Sequence, residues 1–283
     1  MTCAAPESCR GEHVGRCPAC GSRRLAPVLE QPDDLAPSGM LRLRGCRACE
    51  LVFLDPRLPV ATMMALEAAN PLYKPDAEEL RDRLVQRAGM VVELETFAPR
   101  RGRLLDIGCN RGLLLRAAVD LGWEAVGVEL EPAAAELARV EASATVYESI
   151  ALAARHERPF DLVVAWHVLE HAYDPVRFLR DAATTLARDG VIALQTPSFT
   201  FVDEWRRRGR TSDILCAVHT LYFTLAGFES VIGRAGLRPV AIEDSADELL
   251  LTAVCVRSES TVGVGGPLRR WLRPWLARSR ARA

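Results

Sequence analysis

From about residue 102 onward the sequence alternates between short apolar runs and longer amphipathic ones. RLLDIG reads as a strand and RGLLLRAAVDLG as a helix. EAVGVEL with EPAAAELARVEA, FDLVVAW with DPVRFLRDAATTLAR, and GVIALQTP with LAGFESVIGRAG repeat the pair, and ATVYES adds a short strand. Strands that alternate with helices pair in parallel, because the crossover between parallel neighbours needs a dozen or more residues. The pattern therefore predicts an α/β fold, with a mostly parallel sheet covered by helices on both faces. RPVAIED and ELLLTAVCVR lie too close together for a crossover and are expected to close the sheet as an antiparallel hairpin. Pro132 falls in the first turn of its helix, where its missing N–H does no harm.

The rest of the chain divides around this block. Residues 1–58 are rich in Cys, Arg, Pro and Gly and read as a small separate module. Residues 59–98 turn helical, with PVATMMALEAAN and AEELRDRLVQRAGMVVELETF separated by NPLYKP, and are expected to form a connector or lid, with Tyr73 in its loop read as packing. Asp76 with Glu79 reads as a capping pair. The α/β block spans 99–258, and residues 259–283 form an Arg-rich tail with Trp271 and Trp275, read as a solvated end. With 36 Lys+Arg against 37 Asp+Glu, the chain is near neutral, which argues against a protein built to coat nucleic acid. The first residues, MTCAAPESCR, lack the apolar core of a signal peptide, and no apolar run approaches the ~20 residues of a membrane span. A cytoplasmic location with reduced thiols is the expectation.

Nine cysteines in a reduced chain ask for another explanation than disulfides. Cys17 and Cys20 in CPAC, and Cys46 and Cys49 in CRAC, form two C-x2-C pairs with 25 residues between them. Two residues between thiolates let one tight turn present both sulfurs to a tetrahedral ion, and two such turns complete the closed shell of a structural zinc. A zinc ribbon at the N-terminus, with no open coordination position, follows. Cys3 and Cys9 lack this spacing and read as free thiols; Cys216 and Cys255 read as ordinary buried ones.

LLDIGCNRG, residues 104–112, sits between a strand and a helix. Glycines there let the backbone approach a ligand, and the helix N-terminus offers free N–H groups. Asp106 ends the first strand. Glu129 ends the next, 21 residues after Gly108, the interval at which an acidic side chain grips a ribose diol.

DIGCNRG, VGVELEP, FDLVVAWHVLEHAYDP and LARDGVIALQTPS, in that order, resemble the class I S-adenosylmethionine (SAM)-dependent methyltransferase family. The resemblance implies a Rossmann-like seven-stranded sheet of order 3-2-1-4-5-7-6 with helices on both faces. It also implies that Asp106, Gly108, Cys109, Asn110 and Gly112 shape the pocket for the methionine part of SAM. Glu129 and Leu130 would hold the ribose end, Ser149 and Ile150 would flank adenine, and Trp166 and His167 would close the floor. Asn110 stands where the family usually has glycine; asparagine tolerates left-handed backbone, so the turn survives. This asparagine together with the cysteine pairs is similar to the nucleotide-sugar C-methyltransferases.

His167 and His171 follow the fourth strand of the block and His219 the fifth, so all three are expected at one cleft with Glu170. Methyl transfer needs the acceptor positioned and its proton removed, a task suited to histidine near neutral pH. His219 or His167 as general base, with Tyr222 beside the acceptor, is the adopted reading. Other readings stay open. Glu170 and His171 can be purely structural, or His167-x-x-Glu170-His171 with His219 can hold a divalent metal, which is similar to the E-x-x-E-H…H site of certain O-methyltransferases. The H-x-x-E-H string also matches an inverted zinc-protease motif, which its position inside four methyltransferase motifs argues against. The expected activity is methylation of a small molecule, a sugar or specialised metabolite, on O or C. The alternatives are an RNA base methyltransferase that grips RNA with its ribbon, and a SAM-binding protein without catalysis.

Overall fold

The computed structural model describes residues 11–69, 77–98 and 100–261. Cys3, Cys9, Tyr73, the proposed cap at Asp76 and the Arg-rich run beyond 261 lie outside the described residues.

The chain opens with β1 (Leu25–Pro32), β2 (Met40–Cys46) and β3 (Val52–Leu54), followed by helices α1 (Val60–Ala68) and α2 (Ala77–Leu94). The α/β block then runs β4 (Arg103–Ile107), α3 (Leu113–Asp120), β5 (Glu124–Val128), α4 (Pro132–Ala142), β6 (Thr145–Tyr147), α5 (Ile150–His156), β7 (Phe160–Trp166), α6 (Pro175–Thr184) and β8 (Leu186–Pro197). It ends with α7 (Val202–Arg207), β9 (Leu221–Tyr222), α8 (Leu225–Arg234), β10 (Leu237–Ser245) and β11 (Leu250–Arg257).

Seven strands form the main sheet in the order β10-β11-β8-β7-β4-β5-β6. Counted within the block, this is the expected order 3-2-1-4-5-7-6. The four pairings among β6, β5, β4, β7 and β8 are parallel, and the β10–β11 hairpin joins β8 antiparallel. All seven residues of β7 are buried, as a central strand with helices on both faces requires. The two faces carry two apolar clusters, one containing Leu105, Val163 and Ile192, the other Leu104, Leu162 and Val164.

One expectation is corrected. The helix read as running through Arg188 stops at Thr184, and β8 begins at Leu186. Thr184 and Thr185 turn their hydroxyls onto the carbonyls of Asp181 and Ala182, as threonines do at helix ends. Across residue 58 the N-terminal segment and the α/β block share a sheet. The first three strands form a four-stranded sheet β1-β2-β3-β9 whose last strand comes from beyond β8. Among the described residues, no helix is long and apolar enough to cross a membrane.

Candidate active site

The loop after β4 turns back at once: the N–H groups of Gly108 and Cys109 both donate to Val128 O, at 2.8 and 3.1 Å. This needs left-handed backbone at Gly108 (φ 75°), Asn110 (φ 49°) and Gly112 (φ 83°). At Gly112 a Cβ would come within 3.0 Å of the Ala138 backbone in α4, so glycine is required twice over. Asn110 holds its own turn by accepting the Arg111 N–H on Oδ1 at 2.7 Å.

The loop opens on a cleft of about 170 Å³ lined by Asp106, Gly108, Cys109, Asn110, Trp166 and His167 from the predicted set. It lies at the carboxyl ends of β4 and β7, the ligand side of a doubly wound sheet. Gly112 sits behind it against α4. Glu129 fixes the loop from the β5 side: Oε2 accepts the Asn110 N–H at 2.8 Å and Oε1 the Glu131 N–H at 2.9 Å. Each oxygen keeps a lone pair for a ribose hydroxyl. Leu130 is 60 % exposed beside it. Ser149 caps α5, accepting the Leu152 N–H at 3.3 Å, and Ile150 is half-buried; neither is among the residues lining the cleft.

Five residues of the cleft lining stand outside the predicted set: Arg111, Leu113 and Leu114, which continue the glycine loop into α3, and, one turn apart on α2, Arg83 and Arg87. Their i,i+4 spacing was visible, but the direction of that helix face was not. Burial lowers the Arg87 guanidinium, and the nearby Asp106 carboxylate works against that. Burial lifts the Asp106 carboxyl to about 7; Arg87 pulls it down and Glu129 pushes it up. The cleft thus offers a buried carboxyl for an ammonium and guanidinium groups for a carboxylate, the two ends of an amino acid. Trp166 Nε1 is buried beside it with no hydrogen-bond partner among the described residues, a donor that a ligand can satisfy. Burial pushes the Cys109 thiol up, so it stays neutral in the loop.

His167 follows β7 in left-handed conformation, φ 54°, with its side chain 42 % exposed and its Nδ1 3.4 Å from Oε1 of the buried Glu170. Burial alone would raise the Glu170 carboxyl, but His167, then His171 and His219, outweigh it and bring it down to about 2. Thr196 Oγ1 donates to Glu170 Oε2 at 3.1 Å. His171 and His219 stand edge to face with ring centroids 4.9 Å apart. Their Nδ1 atoms face the carbonyls of Val218 at 3.1 Å and Ile214 at 2.8 Å, which leaves each Nε2 as the basic nitrogen. Ligand atoms of Glu170, His171 and His219 all lie within 4.8 Å of one another. Tyr222, expected beside the acceptor, is instead buried in β9, and its hydroxyl donates to Cys216 O at 2.9 Å. Burial holds that phenol well above its usual range. It is a packing residue, misread because the side chains around it come from segments distant in sequence.

The four knuckle sulfurs also lie within 4.8 Å of one another, with Cys17 and Cys49 3.4 Å apart and Cys20 and Cys46 3.6 Å apart. Four thiolates around zinc at ~2.3 Å stand ~3.8 Å from each other, so the donor set fits a tetrahedral ion. The hydrogen bond from Cys17 draws the Cys49 thiol down to about 5, and the same contact pushes Cys17 up.

The sheet order, the glycine loop and a cleft at the ends of the two central strands define a Rossmann-like methyltransferase domain. Residues 75–242 match the family described as Methyltransferase domain, and the chain belongs to that family. It is 35 % identical over 111 residues to the ubiquinone biosynthesis O-methyltransferase of Ralstonia nicotianae, covering 36 % of this chain and 47 % of that protein. The enzyme of the same name from Azorhizobium caulinodans is 32 % identical over 148 residues, 49 % of this chain and 55 % of that one. The chain thus spans about half the length of the curated relatives it matches. Among solved structures, the plantazolicin methyltransferase BpumL, in complex with a monoazolic desmethylPZN analog and SAH, superposes with a TM-score of 0.53 at 13 % identity, over 71 % of this chain and 95 % of its own. At that identity the likeness concerns the fold.

Proposed function

We propose that the chain transfers the methyl group of SAM to a hydroxyl of a small molecule, with His167 as the base. The carrying observation is the half-exposed His167 on the cleft wall, its Nδ1 facing the buried Glu170 carboxylate 3.4 Å away. When bound, SAM supplies the methyl as an electrophilic carbon. Asp106 would hold its ammonium, Arg83 and Arg87 its carboxylate, and Glu129 its ribose hydroxyls. With Glu170 facing Nδ1, His167 Nε2 is placed to take the acceptor's proton, while bound SAM would supply the methyl carbon and its sulfur would keep the electron pair of the broken C–S bond. The names of the O-methyltransferase relatives support oxygen as the acceptor atom over carbon. A structural zinc on the four thiolates is part of this reading. The test is formation of S-adenosylhomocysteine and a methylated product from a panel of phenolic and sugar hydroxyl acceptors. Turnover by wild type that falls with His167→Ala is expected; no SAM binding by wild type overturns the reading.

One observation favours a second reading of the inner cluster. The contact of buried Glu170 Oε1 with His167 Nδ1, at 3.4 Å, falls short of a well-formed hydrogen bond, and the carboxylate converges with the imidazoles of His171 and His219. Such a set suits a divalent transition ion. Native mass spectrometry separates the readings: one metal per chain supports His167 as base with the thiolate zinc alone, and two metals support an ion at Glu170, His171 and His219.

A further inference from the structure

The cysteine knuckles and the inner histidine cluster are joined by a short buried route. β3 leaves the second knuckle and pairs antiparallel with β9, Val52 opposite Tyr222 and Phe53 opposite Leu221. One residue on, the Leu54 N–H donates to Thr220 O at 2.9 Å. The Thr220 N–H donates to Glu170 O at 2.9 Å, and its hydroxyl reaches the carbonyls of Glu170 and Ala172 at 3.2 and 2.9 Å. Thr220 is 1 % exposed, with every polar group used. Two more contacts tie the same parts: Thr224 Oγ1 donates to Glu50 O at 3.3 Å, and Arg57 donates to Tyr173 O at 3.0 Å.

This route bears on the cluster's geometry. The carbonyls that orient His171 and His219 belong to Val218 and Ile214, in the segment that Thr220 ends. β3 has three residues, held on its other edge by β2 through Leu43–Gly45, and β9 has two, so the β3–β9 ladder is short and leans on what surrounds it. One such support is the Cys46–Cys49 knuckle, where the Cys46 N–H donates to Leu51 O at 2.9 Å as the chain enters β3. The cofactor loop packs mainly on the other face of the sheet: Cys109, Leu114 and Trp166 lie in a different apolar cluster from Cys17, Cys46, Cys49, Leu51 and Phe53, which share theirs with Ile107 and Val128 of the strands beneath the loop.

We propose that the thiolate-bound ion is a positioning element of the acceptor side: its loss releases β3 and, through Thr220, the Glu170, His171 and His219 cluster, while the cofactor cleft stays formed. This rests on the zinc reading above and adds control of methyl transfer by metal supply. Thr220 is the positioning residue that transmits it.

The test compares wild type with Cys46→Ser, Thr220→Val and Thr220→Ser by native mass spectrometry, hydrogen exchange, SAM calorimetry and acceptor kinetics. In Cys46→Ser we expect zinc to be lost and exchange at 167–173 and 214–222 to rise on the order of tenfold or more. SAM affinity stays within about threefold, and kcat/KM for the acceptor falls about 10–100-fold. Thr220→Val keeps zinc, shows the rise at 167–173 and raises KM for the acceptor, and Thr220→Ser restores both. Unchanged exchange in zinc-free Cys46→Ser overturns the proposal. So does loss of SAM binding in step with zinc while Thr220→Val behaves as wild type, the pattern of a general folding staple. A wild-type chain without zinc overturns the zinc reading and this proposal together. A wild type that binds no SAM overturns only the cofactor reading, because the exchange measurements need no cofactor.

Discussion

His167 Nδ1 and Glu170 Oε1 stand 3.4 Å apart, an imidazole on the wall of the cleft held against a carboxylate in the core. The contact defines which ring nitrogen does the work. Removal of a positioned base lowers turnover ~10²–10⁴-fold. His167→Ala is expected to fall in that range in kcat with little change in SAM affinity. Glu170→Gln should fall less and move the pH profile of kcat. Equal turnover in His167→Ala and wild type at saturating acceptor would remove His167 from the mechanism.

Asp106 gives the cofactor step its own pH dependence. Its carboxyl, lifted by burial to about 7 in the free protein, ionises fully only above neutrality. The sign follows: SAM's ammonium needs the carboxylate, so SAM affinity should rise with pH up to about 7 and level off above it. The free protein shows the opposite slope. A carboxyl raised from 3.8 leaves the fold unpenalised below that value and costs stability as pH climbs through about 7. Asp106→Asn should flatten both curves. Calorimetry from pH 5.5 to 8.5 reads the first and thermal melting the second.

The parallel sheet was legible from strand–helix alternation and its strand order from the family resemblance that the motifs along it carry; both survive without tertiary knowledge. The cysteine site was legible for a similar reason: C-x2-C fixes a local turn, and only the meeting of two turns had to be inferred. Thr220 and Tyr222 were not legible. β9 has two residues, too short to show a period, and its partner β3 lies more than 160 positions earlier. A tyrosine three residues from a histidine reads as chemistry until burial shows that it packs. Arg83 and Arg87 were missed because α2 reads as an ordinary amphipathic connector, and only its docking across the loop turns that face into a wall of the cleft.

Arg87 separates carboxylate recognition from general stability. If its guanidinium grips the methionine carboxylate, Arg87→Met should weaken SAM at least ~tenfold, which corresponds to about 1.4 kcal/mol. The same variant should bind 5′-methylthioadenosine, which lacks the amino acid, as wild type does. Equal weakening toward both ligands assigns Arg87 to packing rather than to the carboxylate.

Gly112 and Gly209 both adopt left-handed backbone, φ 83° and 65°, but their surroundings differ. A Cβ at Gly209 meets nothing within 4 Å, while one at Gly112 meets the Ala138 backbone at 3.0 Å. Gly209→Ala therefore carries only the conformational cost, roughly 1–2 kcal/mol. Gly112→Ala adds displacement of α4 or of the loop, and a backbone atom cannot rotate away as a side chain can. A total above about 2 kcal/mol lowers Tm by roughly 4–8 °C in a domain of this size. The loop shift also carries the Asn110 N–H away from Glu129, so Gly112→Ala should lose SAM binding while Gly209→Ala keeps it. Melting curves with and without SAM check both halves: a Gly112→Ala protein that melts like Gly209→Ala and is still stabilised by SAM would show that α4 can yield, and that the closeness of loop and helix is not what builds the cleft.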